Sequence, residues 1–384
     1  MFCRNKVKNE GSGNNLTVYS FDNIFLGTAS KKYVKNASKE IKSIDSGVKI
    51  IDKFPDGVFL FSISQEKNKF FEEISRTPPI FLRHIQPIDI VLFFHTDHTD
   101  EMIVKTIDWL AAKEITGKKV AVQVRKMPFQ REQSAFSYKK VIDKCVLEKY
   151  SAIPTVKNPD IIISLYICDS TGIDIDSGKA VELIPDSGGD STYNRIAMIG
   201  MSTPRENLCE RSGGIVRFAK EPGQLSRSGF KLLEAFEVFN FEHPEEKNAL
   251  DLGASPGGWS KVLLEKGYAV TAIDRAPVDP ELHKLGEIKI IQKDARLYSP
   301  KRNSFDILTN DMNRDPAHSA NISVQAAMGL KQGAPLIMTI KLTGKNPEKI
   351  IQKTLKTLER AFVIKNVRQL YNNREEVTIL GTKK

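Results

Sequence analysis

Short apolar runs and helical segments alternate through the C-terminal part of the chain. From residue 226 onward, apolar runs with the length of buried strands are separated by segments that favour helix. Such alternation predicts an α/β domain built on a mostly parallel, doubly wound sheet. The strands are predicted at 248–252, 269–274, 288–293, 305–310, 336–341, 363–371 and 376–381.

The first part of the chain has a different order of elements. The predicted elements are a strand from Thr17, a basic helix at 31–44, strands at 48–52 and 57–63, and a helix at 65–74. This β-α-β-β-α order predicts a small ferredoxin-like α+β unit over residues 1–85.

A second α+β domain is predicted at 86–200. Its predicted elements are a helix at 100–112, a strand at 119–125, a helix at 137–150 and an apolar strand at 161–166. Residues 201–225 are rich in Pro, Gly, Ser, Arg and Glu, which indicates a linker. Because 384 residues are too many for one compact core, the third domain is predicted at 226–384.

The chain is basic, with 57 Lys and Arg residues against 47 Asp and Glu residues and a formal net charge of +10. This charge favours an anionic partner, and nucleic acid is the first candidate. A merely soluble basic protein would have the same charge balance, so the charge supports an RNA partner without establishing one.

The remaining composition argues against several classes of protein. The four cysteines lack zinc-ligand spacing, so we expect reduced thiols, no metal site and a cytoplasmic location. The apolar runs have strand length, which predicts no membrane-spanning helix, and the N-terminus lacks the apolar segment of a signal peptide. His95 and His98 have a spacing compatible with metal binding, but without an apparent third ligand we interpret them as loop or helix-cap residues.

The glycine-rich turn after the strand at 248–252 carries the first chemical signal. The sequence from Ala249 to Trp259 runs from an apolar strand into a turn that opens a helix, which directs backbone N–H groups at a ligand above the strand end. Its glycines do not have the G-x-G-x-x-G spacing of a dinucleotide fold. The next strand ends in Asp274, which is placed to accept from ribose hydroxyls. This combination favours S-adenosylmethionine over NAD.

Other residues at this edge of the sheet extend the predicted cofactor site. Gly253 and Gly258 would let the backbone approach the methionine moiety, and Asp294 is placed for the adenine amino group. Trp259 could equally be a core residue behind the turn. The predicted cofactor contacts are Asp251, Gly253, Ser255, Pro256, Gly258, Trp259, Asp274, Asp294 and Asp311.

Charged residues also follow the fourth and fifth strands of the predicted sheet. Asp311 comes directly after the strand at 305–310, and Lys341 ends the strand at 336–341. Since ligands of open α/β sheets bind at the carboxyl ends of the strands, we expect these side chains to line one rim with Asp251 and Asp274.

Several motifs resemble the FtsJ-type ribose 2′-O-methyltransferases. The matching segments are Ser226-Arg-Ser-Gly-Phe-Lys-Leu-Leu-Glu234, the turn at 251–259, Thr309-Asn-Asp-Met312, Ile340-Lys341 and Arg374-Glu-Glu-Val-Thr-Ile379. The resemblance implies a Rossmann-like class I S-adenosylmethionine methyltransferase domain. It also implies a catalytic tetrad of Lys231, Asp311, Lys341 and Glu376. Motifs in this order form a far more specific signal than any one of them alone.

The segments 226–239 and 369–378 further resemble the branch of this family that acts on a cytidine of 23S ribosomal RNA. That resemblance implies a ferredoxin-like N-terminal unit and a THUMP-type RNA-binding domain at 86–200. One segment departs from the family, because Asp311-Met-Asn-Arg-Asp-Pro316 lacks the Asp-Met-Ala-Pro-Asn sequence of FtsJ itself. Contacts to the target nucleotide are therefore in question, whereas the role of Asp311 is not.

The tetrad suggests how a ribose hydroxyl, a poor nucleophile at neutral pH, would be activated. Our hypothesis is that Lys341 removes the 2′-proton, that Asp311 orients Lys341, and that Lys231 and Glu376 hold the ribose. A lysine base must be neutral, so we expect burial and the nearby Lys231 to lower the pKa of Lys341.

Other readings remain open at this stage. The same chemistry could act on transfer RNA, or the chain could be a non-catalytic RNA-binding assembly factor. A base methyltransferase is disfavoured because no Asn-Pro-Pro-Tyr-like motif or catalytic cysteine pair appears. In the N-terminal part, Arg125, Lys126 and Arg131 could contact RNA phosphates, although a solvated basic loop would have the same composition.

Overall fold

The computed structural model describes residues 5–7, 17–20, 23–94, 99–111, 113, 115–126, 134–169, 195–219 and 226–384. The chain divides into two compact units, Met1–Ile215 and Val216–Lys384. The predicted histidine pair, His95 and His98, and the predicted RNA contact Arg131 lie outside the described residues. Within the described ranges, no helix is both long enough and apolar enough to cross a membrane.

The N-terminal unit contains two β-sheets and five α-helices within its described residues. Its strands are β1 (Asn5–Val7), β2 (Thr17–Ser20), β3 (Ile24–Thr28), β4 (Lys49–Lys53), β5 (Val58–Ser62), β6 (His84–Pro87), β7 (Ile90–Phe94), β8 (Lys119–Lys126), β9 (Ile153–Pro154), β10 (Ile161–Asp169) and β11 (Arg195–Ser202). Its helices are α1 (Val34–Ile44), α2 (Lys67–Arg76), α3 (Thr99–Ala111), α4 (Ala135–Tyr150) and α5 (Pro204–Asn207).

The smaller sheet has the strand order β4-β5-β3-β6 with antiparallel pairs throughout. Its elements follow the chain order β-α-β-β-α-β, since α1 joins β3 to β4 and α2 joins β5 to β6. Aromatic rings of Phe25, Phe61, Phe70 and Phe71 pack between the sheet and α2, with neighbouring ring centroids 5.4 to 6.3 Å apart. This apolar contact fixes α2 on the sheet.

The first strand of this unit differs from the sequence prediction. The strand predicted from Thr17 exists as β2, but β2 pairs with β7 in the larger sheet. The smaller sheet begins instead at β3, a fully buried strand that pairs with both β5 and β6. Both segments are apolar enough to form strands, and strand pairing decides which sheet each one joins.

The larger sheet has the strand order β1-β2-β7-β11-β10-β8-β9 and mixes parallel with antiparallel pairs. Helices α3 and α4 bury residues such as Ile107, Leu110, Ile142 and Val146 in its core. Strand β11 continues to Ser202, and α5 follows within the same unit. The structure therefore differs from the predicted linker at 201–225, because residues up to 215 belong to the N-terminal unit.

Arg125 lies near the end of β8 and is held inside the N-terminal unit. Its Nη1 donates to Thr28 Oγ1 at 2.8 Å, and its guanidinium carbon lies 5.4 Å from the ring centroid of Tyr166. Burial lowers the pKa of Arg125. The side chain contacts both β3 and β10, whereas the sequence suggested either a contact to RNA phosphates or a solvated basic loop for Arg125. Lys126 is the last residue of the same strand.

The C-terminal unit is a single doubly wound sheet with helices. Its strands are β12 (Asn248–Leu252), β13 (Ala269–Asp274), β14 (Ile288–Gln292), β15 (Ile307–Asn310), β16 (Pro335–Lys341), β17 (Phe362–Arg368) and β18 (Glu376–Lys383). Its α-helices are α6 (Gly229–Val238), α7 (Gly258–Glu265), α8 (Pro316–Ala326) and α9 (Pro347–Leu358).

The strand order is β14-β13-β12-β15-β16-β18-β17, with parallel pairs from β14 to β16 and antiparallel pairs at β18. This Rossmann-like order agrees with the predicted mostly parallel sheet. The chain leaves β12 in one direction and returns to β15 on its other side, which opens a crevice at the carboxyl ends of these two strands. Strand β17 ends at Arg368 instead of residue 371, because residues 369–375 form a loop.

Candidate active site

Four charged residues meet at the carboxyl ends of β15 and β16. Asp311 directly follows β15, and Lys341 is the last residue of β16. Glu376 begins the antiparallel strand β18 directly opposite Lys341, and Lys231 lies in the first turn of α6. The fold thus brings together the four residues that the sequence analysis proposed as a tetrad.

The four side chains form a closed ring of alternating charges. The Nζ of Lys341 lies 2.7 Å from Asp311 Oδ1 and 2.5 Å from Glu376 Oε2. The Nζ of Lys231 lies 2.6 Å from Glu376 Oε1 and 3.2 Å from Asp311 Oδ2. Each ammonium group therefore bridges both carboxylates, and the side chains are between 7% and 15% exposed.

The ring stabilises the charged form of Lys341. Burial lowers the pKa of Lys341, but the attraction of Asp311 and Glu376 outweighs burial and leaves this pKa above its ordinary value. This direction is opposite to the sequence-based expectation, in which burial and the nearby positive charge of Lys231 lower the pKa of Lys341. In the structure the positive charge of Lys231 is itself matched by the two carboxylates.

Thr339 binds the ring directly, and Glu234 binds the loop that precedes Glu376; neither residue was assigned a role from the sequence. Thr339 Oγ1 donates to Asp311 Oδ1 at 2.6 Å. Glu234 lies one helical turn after Lys231 and is 1% exposed. Its carboxylate accepts from the backbone N–H groups of Tyr371 and Asn372, both at 2.7 Å. A glutamate among the apolar positions of α6 was the available signal, because a buried carboxylate requires partners.

A cavity of about 300 Å³ opens beside the ring, between the ends of β12, β13 and β15. It is lined by Gly253, Ser255, Ile273, Asp274, Arg275, Ala276, Ala295, Asp311, Met312, Asn313 and Arg314. Asp311 therefore belongs to both the ring and the cavity wall. This shared residue connects the two parts of the site.

Gly253 and Asp274 shape the cavity at the turn after β12. Gly253 has a φ of +76°, and a Cβ at this position would lie 2.5 Å from Met312 Cγ. Asp274 accepts from the backbone N–H groups of Ser255 at 3.1 Å and Ala276 at 2.9 Å, one on each carboxylate oxygen. Since a carboxylate oxygen has about two acceptor positions, each oxygen retains one for a ligand.

Asp251 is enclosed beneath the turn. It is 1% exposed and accepts from Ser260 Oγ at 2.6 Å and Thr309 Oγ1 at 2.9 Å. Burial raises the pKa of Asp251 to about 6. Asp251 therefore connects β12 to α7 and β15 through these two hydrogen bonds.

Gly258 and Trp259 pack against the segment before α6. A Cβ on Gly258 would lie within 2.5 Å of the hydroxyl oxygens of Ser226 and Ser228. Trp259 is 3% exposed, and its Nε1 donates to the carbonyl of Ser228 at 2.9 Å. The preceding turn contains a cis peptide bond before Pro256. Trp259 thus has the core position that the sequence analysis gave as its alternative role.

Asp294 lies beside the cavity, next to the lining residue Ala295. Arg296 binds its carboxylate with Nε at 3.2 Å and Nη2 at 2.9 Å, and Arg314 Nη2 binds it at 3.1 Å. These hydrogen bonds, led by those from Arg296, hold the pKa of Asp294 well below its usual range.

Comparison with known proteins finds sequence similarity in the C-terminal unit. A sequence model described as FtsJ-like methyltransferase matches residues 224–375. The chain is 32% identical over 198 residues to Ribosomal RNA large subunit methyltransferase M of Idiomarina loihiensis, which covers 48% of this chain and 53% of that protein. For the same enzyme of Shewanella frigidimarina, the identity is 33% over 179 residues, covering 43% and 49%. The chain spans about half the length of the curated relatives it matches.

Solved structures show only a distant likeness. TrmN from Thermus thermophilus covers 94% of this chain and 100% of its own, with 12% identity and a TM-score of 0.35. An S-adenosylmethionine dependent methyltransferase from Mesorhizobium loti covers 41% of this chain with 12% identity and a TM-score of 0.33. Likeness at this level does not distinguish one function from another. The sequence comparison is more specific, because residues 224–375 are similar to the FtsJ-like methyltransferases.

Proposed function

We propose that this protein transfers a methyl group from S-adenosylmethionine to a ribose 2′-hydroxyl of RNA, with a cytidine of 23S ribosomal RNA as the target. The observation that carries this proposal is the position of Asp311, which lines the cavity and also binds both lysines of the charged ring. A donor in the cavity and an acceptor at the ring would therefore meet at one residue.

The cavity residues fit an adenosyl cofactor. Asp274 has acceptor positions for two ribose hydroxyls, and Gly253 leaves space that any side chain would fill. The neighbouring carboxylate Asp294 would accept from the adenine amino group. Bound S-adenosylmethionine would supply the activated methyl group.

Within the ring, Lys341 would accept the proton of the 2′-hydroxyl at Nζ. It must first lose its own proton, which the raised pKa opposes at neutral pH. When Lys341 is neutral, Lys231 still binds both carboxylates and limits the cost of their uncompensated charge. Asp311, fixed by Thr339, would orient Lys341 toward the hydroxyl.

Three observations support an RNA substrate. The formal net charge of the chain is +10, and the names of the similar proteins specify large-subunit ribosomal RNA. The N-terminal unit contains two β-sheets with α-helices, as the predicted ferredoxin-like and THUMP-type domains require. We propose that residues 23–87 form the ferredoxin-like unit and that the larger sheet is the THUMP-type RNA-binding domain predicted at 86–200. We also propose that the protein acts in the cytoplasm.

Methyl transfer from labelled S-adenosylmethionine tests this proposal directly. Protein-free ribosomal RNA and transfer RNA are supplied separately, and mass spectrometry locates the modified nucleotide. We expect 2′-O-methylcytidine in ribosomal RNA, no transfer by Lys341→Ala, and normal transfer by Lys353→Ala, which removes an exposed lysine of α9. Label on transfer RNA alone would discard the ribosomal target. Cofactor binding without transfer to either RNA would favour a non-catalytic RNA-binding protein.

A further inference from the structure

The acceptor capacity of Asp294 is already full in this structure. Its Oδ1 accepts from the backbone N–H and the Nε of Arg296, at 3.0 and 3.2 Å. Its Oδ2 accepts from Nη2 of Arg296 at 2.9 Å and from Nη2 of Arg314 at 3.1 Å. A carboxylate offers about four acceptor positions, so an amino group could bind Asp294 only if one of these donors left.

The two arginines are held on Asp294 in different ways. Arg296 is two residues away in sequence and binds through its backbone N–H and through the Nε and Nη2 of its guanidinium. Arg314 binds Asp294 through one hydrogen bond and lines the cavity. Because a single bond is lost more easily than three linked bonds, Arg314 is the donor that can exchange. It also lies in the segment 311–316 that departs from the FtsJ sequence.

We propose that Arg314 occupies the position on Asp294 that the adenine amino group of the cofactor takes, so that Arg314 must leave Asp294 when the cofactor binds. This inference rests on the proposed function. Arg314 is then a residue that sets cofactor specificity. Its hydrogen bond to Asp294 is exchanged for that of the amino group, and the amino group therefore adds little to the affinity of the unmodified protein.

Calorimetry with two ligands measures this exchange without requiring activity. The probes are S-adenosylhomocysteine and its deamino analogue, in which purine replaces adenine. In the unmodified protein we expect the two dissociation constants to be similar. In Arg314→Met, Asp294 has an open acceptor position, so S-adenosylhomocysteine should bind more tightly than it binds the unmodified protein. Its affinity should also exceed that of the analogue by about tenfold, which is the contribution of one hydrogen bond to a charged group.

Arg275→Met is the matched control. Arg275 lies at the same wall, but its Nε is 3.8 Å from Asp294 Oδ2, beyond hydrogen-bond distance. The substitution Arg275→Met removes a cation without opening an acceptor position on Asp294. The ratio of the affinities for S-adenosylhomocysteine and its analogue should therefore be the same as in the unmodified protein. An unchanged ratio in Arg314→Met would overturn the exchange, as would equal weakening of both ligands, which would mean that Arg314 contacts the cofactor directly. If the unmodified protein bound neither ligand, the proposed function would fail and the exchange with it.

Discussion

Replacing Glu376 with Gln removes one of the two carboxylates that stabilise the charged form of Lys341. The Lys341 Nζ lies 2.5 Å from Glu376 and 2.7 Å from Asp311, and the attraction of both acids raises its pKa. In Glu376→Gln, burial continues to lower the pKa of Lys341 while only Asp311 opposes it. Lys231 also loses its 2.6 Å partner and becomes an incompletely matched cation nearby.

Both changes lower the pKa of Lys341, and the distances set the size of the effect. Two unit charges 4 Å apart interact by about 4 kcal/mol at an effective dielectric constant of about 20. Opposite charges within 4 to 6 Å shift a pKa by about 1 to 3 units in proteins. We therefore expect the pKa of Lys341 to fall by about 1 to 3 units in Glu376→Gln.

Single-turnover methyl transfer to ribosomal RNA, measured across pH, reports this change. If neutral Lys341 is the base, the rate of the unmodified protein rises with pH through the pKa of Lys341. In Glu376→Gln this rising limb moves to lower pH, and the maximal rate falls because the ribose is held less well. The matched control is Glu375→Gln, which removes the same charge from the exposed neighbouring residue and should leave the limb in place. A limb that stays in place or moves upward in Glu376→Gln would refute the assignment of Lys341 as the base.

Three further predictions concern the cavity and the turn beside it. Asp274→Ala should weaken S-adenosylhomocysteine binding in calorimetry by about tenfold or more, since it removes the proposed partner of the ribose hydroxyls; unchanged affinity would contradict that role. Gly253→Ala should lower the melting temperature more than Gly333→Ala does, because both glycines have positive φ, +76° and +74°, but a Cβ meets a neighbour only at Gly253; equal effects would exclude the contact. The pKa of Asp251 rises from 3.8 in an unfolded chain to about 6 in the folded protein, so the folded protein binds this proton more tightly. Ionising Asp251 therefore costs stability as the pH rises from about 4 to above about 6, up to about 3 kcal/mol. Urea denaturation gives the free energy of unfolding of Asp251→Asn and of the unmodified protein at each pH. The value for Asp251→Asn minus that for the unmodified protein should rise over this interval, and a difference that does not change with pH would show that the pKa of Asp251 is not raised.

The doubly wound sheet of the C-terminal unit was predictable from the alternation of apolar strands with helical segments. Parallel strands place their carboxyl ends at one edge, so the sequence alone assigns Asp274, Asp311 and Lys341 to one rim. Glu376 required the family resemblance, because only the antiparallel pairing of β18 with β16 places it opposite Lys341. Glu234 escaped prediction because its partners are backbone groups of a loop more than a hundred residues away along the chain.

The N-terminal unit shows where sequence patterns stop being informative. The segments at Thr17–Ser20 and Ile24–Thr28 both form strands, yet they join different sheets. Periodicity identifies a strand but does not select its partner, because pairing depends on contacts with residues distant in sequence. Arg125 illustrates the same limit for charge. A basic residue near a basic loop suggests a surface contact, whereas its hydrogen bond to Thr28 and its cation–π contact with Tyr166 depend on the packing of two sheets.

The charged ring also indicates how the ribose would gain access to Lys341. An ammonium has three donor positions, and Asp311 and Glu376 occupy two of those of Lys341. On the proposed function, we expect the hydroxyl to approach the third position while both carboxylates stay in place. Thr339 also binds Asp311, which supports the proposed role of Asp311 in orienting Lys341. In neutral Lys341 the two N–H groups would still donate to the carboxylates, and the lone pair would take the third position, toward the proton of the hydroxyl.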